Sequence, residues 1–185
     1  MNAKLRHSII TLCRIKNQLK NAEDAMMYLF HQKDKVINST WDNAEIAHLD
    51  TALYGLIYYS LIWYASFLDE YNNHFSPAED PNHKQKIISV RKNCKKFTQN
   101  IVIIFGDVTI ARNLVLAHPY RKSNGTPLTN KEINNQFDQL ILHPTIGTYT
   151  QLSNMANLIY KEIEIAFGPI PESEISLIEE ELESL

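Results

Sequence analysis

Cysteine is scarce in this 185-residue chain, and the two present form no pattern. Cys13 and Cys94 stand far apart without a CxxC spacing. That excludes a zinc ribbon or a disulfide framework and leaves two small side chains suited to a core. Glycine and proline are sparse as well, at five and seven residues, too few for the turn-dense chain of an all-β fold. No Gly-rich phosphate loop is present, so P-loop and dinucleotide-binding chemistry have no sequence support. His7, His31, His48, His74, His83 and His143 lack metal-ligand spacing and read as surface or cap residues. No acidic cluster suits a two-metal mechanism, and no cofactor is expected. The opening MNAKLRHSII lacks the apolar core and cleavage site of a secretory signal, so a cytoplasmic protein is expected.

What the chain does have is helical periodicity. Ile9, Leu12, Ile15, Leu19, Ala22, Met26 and Leu29 recur at steps of three and four, which predicts a helix over about residues 4–35. After a turn capped by Asp42 or Asn43, a second helix is expected over about 44–72. Its stretch TALYGLIYYSLIWYASFL, Thr51 to Leu68, carries no charge. That is close to the ~20 residues needed to span a bilayer. The flanks, however, are Asp50, Asp69 and Glu70 rather than lysine or arginine. Leu49, Leu53, Leu56, Ser60, Trp63 and Phe67 form a bundle seam, widened by Ile57, Tyr64 and Leu68. The expectation is a central helix buried on more than one side, in a homodimer, with no membrane partner.

Asp80-Pro81 reads as an N-cap with a first-turn proline. The third helix then turns Ile87, Val90, Cys94, Phe97, Ile101 and Ile104 inward and most of its lysines outward. Gly106-Asp107 is expected to interrupt it before a shorter helix ending near Ala117. A capping box at Thr129–Glu132 opens another helix to about Leu142. A further one runs over about 149–167 and stops at Gly168-Pro169. The acidic tail, residues 171–185, could dock as a last short helix. The expected fold is a single all-α domain, a bundle of five to six helices.

Charge is uneven. Residues 82–122 carry a balance of +8, and residues 161–185 one of −7. A basic stripe favours a polyanion partner, although a lysine-rich helix face is more often merely solvated. Lys84, Lys92, Lys95 and Lys96, with Arg121 and Lys122 beyond, are the candidate RNA contacts.

This stripe leads into RNLVLAHPYR, residues 112–121. On a straight helix six steps would leave Arg112 and His118 about 120° apart. Pro119 disfavours helical geometry at His118, so the helix ends there and the imidazole can swing toward Arg112. Histidine exchanges protons near neutral pH. Arginine holds a phosphate at two points and stabilises charge on a transferring phosphoryl group. Asn113 can orient either group. These parts suffice for RNA cleavage without a metal, by attack of the ribose 2′-OH. The Arg–His pair alone is a weak signal in a chain with five arginines and seven histidines. Adjacent Asn113 makes it more specific.

RNLVLAH resembles the R-N-x4-H signature of HEPN domains, particularly the stand-alone proteins of toxin–antitoxin and abortive-infection systems. The resemblance implies a helical fold over about residues 4–167 and a ribonuclease acting as a homodimer. Arg112 and His118 of both subunits would face one cleft, with Asn113 at the polar position after the arginine. Tyr120 matches an H-x-Y extension found in HEPN toxins paired with MNT-type nucleotidyltransferase antitoxins. There the tyrosine is nucleotidylated to silence the toxin.

Overall fold

The computed structural model describes residues 1–105, 146–171 and 173–174. Among these the chain is helical and contains no strand. The expected helix end near Ala117, the interruption at Gly106-Asp107, the capping box at Thr129–Glu132 and the apolar face of the tail all lie outside the described residues. So do the side chains of Ile101 and Ile104.

Four long helices carry the structure. They are α1 (Ala3–Ser39), α2 (Asn43–Asp69), α3 (Lys84–Phe105) and α4 (Ile146–Phe167). The Asn2 side chain caps α1 by accepting from the Leu5 amide, and Asp42 caps α2 by accepting from Ala44 and Glu45. Helix α1 ends where Trp41 takes a left-handed conformation (φ 49°), and its N–H closes onto the Val36 carbonyl. Gly168, at φ 88°, ends α4 as the Gly-Pro pair predicts. One π-helical turn, Glu70–His74, finishes α2, and a 3₁₀ turn, Pro81–His83, leads into α3.

The periodic residues of α1 are the core. Leu5, Ile9, Leu12, Ile15, Leu19 and Met26 are buried together with Phe67, Phe75, Ile87, Val90, Cys94, Leu152, Ile159 and Ile163. Burial of side chains this size stabilises by about 1.5–3 kcal/mol each before the entropy cost of ordering them. Among the described residues α1 packs against both α2 and α4, while α3 packs against α4. The expectation that α2 is buried on more than one side, in a dimer, involves surfaces beyond the described residues. The main contacts of α2 among the described residues are α1 and its own π-helical extension.

Part of the α2 seam is nevertheless buried: Leu53, Ser60, Tyr64 and Phe67. On other faces Tyr54 and Tyr59 are exposed. The span Asn43–His74 is long and apolar enough to cross a membrane, and about a third of its most apolar window, 35%, is buried.

Candidate nucleic-acid interface

Helix α3 begins from a tightly bonded corner. Asp80 is almost fully buried and accepts from the backbone N–H groups of Asn2 and Asn82, at 2.8 and 3.1 Å. His83 Nδ1 lies 3.0 Å from Asp80 Oδ2, the oxygen that also accepts from Asn2, while Asn82 donates to Oδ1. The N–H of Asn2, followed by His83 and Asn82, holds the Asp80 carboxyl below the usual carboxylate range, against the opposing effect of burial. This corner fixes the start of α3 against the start of α1.

No acidic residue occurs anywhere in α3. Its inner face is set by Ile87, Val90 and Cys94, all buried, with Phe97 packed beside them. Two of its six cations are used by the fold. Arg91 donates to the Phe75 carbonyl at 3.1 Å and lies over the Tyr71 ring. Lys86 donates to the Ala166 carbonyl at 3.0 Å and covers Phe167. Asn93 joins the helix to α4 through Glu162 at 2.9 Å.

Lys84, Lys92, Lys95 and Lys96 are exposed. At 100° per residue they fall within an arc of about 120°, opposite the inner face, and span about 18 Å. None has an ion-pair partner among the described residues. Other surface cations do: Lys20 with Glu23 and Asp24, Lys33 with Asp50, Lys4 with Glu79, and Arg6 with Glu174. Thus the outward placing of these four lysines, read from the sequence, holds. Arg112, Asn113, His118, Tyr120, Arg121 and Lys122 lie outside the described residues, which along α3 run to Phe105.

Behind this face sits an unreactive layer. The Tyr71 and Tyr160 hydroxyls make no geometric hydrogen bond and neighbour the Cys94 and Cys13 thiols. Burial pushes both phenols well above their ordinary range. It also pushes the Cys94 thiol up to about 11, helped by Glu162 and opposed by Tyr71. Such a thiol is no nucleophile at neutral pH, and Cys13 is buried in the core as well, so both cysteines serve packing, as their lack of pattern suggests.

A second feature had no sequence signal. Between the first half of α1 and the end of α2 runs a cleft of about 740 Å³ lined by Lys4, His7, Ser8, Glu70, His74 and Glu79. It meets a smaller one, about 350 Å³, at Glu70. The π-helical turn shifts the register here by one residue, and such turns are often found at functional positions. The buried Ser8 hydroxyl and Trp63 indole N–H have no hydrogen-bond partner among the described residues. Five of the histidines read as surface or cap residues are described: His7, His31, His48 and His74 are exposed, and His83 pairs with the capping Asp80. Among the described residues no group of three or more His, Cys, Asp or Glu is placed to hold a metal ion.

No protein-family model, curated protein or solved structure matches this chain.

Proposed function

We propose that this chain is a metal-independent endoribonuclease of the HEPN type, acting as the toxin of a toxin–antitoxin or abortive-infection system in the cytoplasm. The observation that carries the reading is the R-N-x4-H spacing of Arg112, Asn113 and His118 in an all-helical chain. The exposed lysine face of α3, without ion-pair partners among the described residues and lying just before that motif in sequence, adds to it. The proposed fold is a HEPN-like bundle of five to six helices in one domain. The exposed Tyr54 and Tyr59 of α2 support a homodimer that joins two copies of the motif.

In this reading the ribose 2′-oxygen attacks the adjacent phosphorus. The 2′-O–P bond forms, the P–O5′ bond breaks, and a 2′,3′-cyclic phosphate remains. His118 carries the proton from the 2′-OH toward the departing 5′-oxygen, directly or in two steps, a role worth about 10² to 10⁴ in rate. Arg112 holds the phosphate and stabilises its developing charge. Asn113 orients the pair. Tyr120, two residues beyond the histidine, would be the site at which an MNT-type antitoxin adds nucleotide units, placing negative charge where RNA must enter.

The test is incubation of purified protein with RNA in EDTA. Wild type should yield cyclic-phosphate ends, while His118→Ala and Arg112→Ala should each lose cleavage and toxicity yet remain folded. The double variant should be little worse than either single one. Cleavage by His118→Ala at the wild-type rate, or a strict need for a divalent metal, would overturn the reading. If no RNA is cut but RNA is bound, the exposed lysine face favours the second reading, a non-catalytic RNA- or nucleotide-binding module.

A further inference from the structure

We infer that the outward face of α3 is a base-independent track for the phosphates of a single-stranded nucleic acid, and that it holds DNA as readily as RNA. The inference deepens the ribonuclease reading and rests on it only for why such a strand should be near.

The argument begins with what shares the lysine arc. Between Lys84 and Lys96 the outward positions are Gln85, Ile88, Ser89, Lys92 and Lys95. There is no aromatic ring on which a base could stack and no arginine fork to read a guanine edge. A lysine ammonium is a point charge on a flexible stem, suited to phosphate oxygens and indifferent to the base or to a 2′-OH. The one arginine of α3, Arg91, which could have supplied a more directed contact, is turned away to the Phe75 carbonyl, and Lys86 is turned to the Ala166 carbonyl.

Other polyanions fit less well. An acidic protein partner would want a central aromatic or apolar anchor, and the arc offers only Ile88, which is 41% exposed. A lipid surface would want a broad apolar face beside the lysines, and the apolar face of α3 is buried in the core. Duplex RNA hides its major groove from a helix, whereas a flexible strand can follow a convex row of charges about 18 Å long.

Four phosphates neutralised on a single strand give a salt slope of about −2.8, or a loss of affinity of about 50-fold between 50 and 200 mM salt. Because DNA lacks the 2′-OH that the proposed cleavage needs, a DNA strand bound here would also act as an uncleaved competitor of RNA.

The experiment measures binding of labelled single-stranded oligouridine and oligothymidine to the full-length His118→Ala protein by fluorescence anisotropy across salt. Affinities for the two should agree within about twofold, and both slopes should lie near −2.8. Lys92→Gln with Lys96→Gln should halve the slope, leaving a salt effect of about sevenfold. The inference is overturned by RNA binding more than about tenfold tighter than DNA, by a slope unchanged in the double variant, by tighter binding of duplex, or by no binding. Displacement of the strand by a polyglutamate peptide at equal charge would reassign the face to an acidic protein. Strand binding as expected with no cleavage by wild type would remove the nuclease reading and keep this one. Cleavage with salt-insensitive binding would do the reverse.

Discussion

Helices α2 and α3 solve opposite problems with their side chains. In α3 charge and apolarity alternate at helical spacing, so only one face can be buried and the lysines must face out. In α2 an 18-residue stretch carries no charge, so hydropathy does not choose a face. Only the three-and-four spacing of its seam marks a side: Phe67 and Tyr64, on that seam, are buried, while Tyr54, outside it, is 56% exposed. The lesson is that amphipathic contrast, not total apolarity, lets a sequence state which way a helix points.

The largest effect should come from the chosen face of α2. Phe67→Ala is expected to cost about 3–5 kcal/mol of stability in denaturant unfolding. Tyr54→Ala should cost less than about 0.5 kcal/mol. Equal losses would erase the distinction between the faces. A loss at Tyr54 that grows with protein concentration would instead show that a second copy covers that residue.

The inner face of α3 gives the next test. With its thiol pushed up to about 11 by burial, Cys94 should alkylate in the native protein about a hundredfold more slowly than an ordinary cysteine. Mass spectrometry after iodoacetamide treatment, with and without denaturant, measures this. Rapid native labelling of Cys94 would mean that the inner face of α3 opens readily.

The corner that starts α3 should respond to acid. The Asp80 carboxyl is lowered in the folded state, so its stabilising contribution is complete above the unfolded value of about 3.9 and is lost as pH falls through the lowered folded value. Asp80→Asn should melt below wild type at neutral pH, and the gap should close as pH drops below about 4. A constant gap in a thermal melt series would show that the charge of Asp80 is not what the corner uses.

The smallest effect is expected outside. Ile88→Ser on the lysine face should change stability by less than about 0.5 kcal/mol, read from the same denaturant curves. A larger loss would mean that another part of the chain or a partner rests on that face.

The caps, too, divide between what is local and what is not. Asp42, Asp80-Pro81 and Gly168-Pro169 were legible because capping is chemistry between near neighbours in sequence. The bond from the Asn2 amide to Asp80 was not, since its partners lie 78 residues apart. The Ser8–Glu70–His74 cleft was equally hidden. It depends on how α1 and α2 lie together and on a π-helical turn that no spacing announces. Of the candidate site, the sequence offers the residue types and order of Arg112, Asn113 and His118. The structure adds the orientation of Lys84, Lys92, Lys95 and Lys96.

By itself, then, the sequence determined the helical class, the boundaries marked by Asp42, Asp80-Pro81 and Gly168, the inward stripe of α1 and the outward lysines of α3. Each of these follows from periodicity or from contacts within one turn of the chain. Only the tertiary structure decided that, among the described residues, α1 rather than the more apolar α2 is the helix that meets two others. Burial in a bundle is shared among all helices that meet at a seam, and a helix is central because of how many partners it touches, which its own hydropathy does not encode.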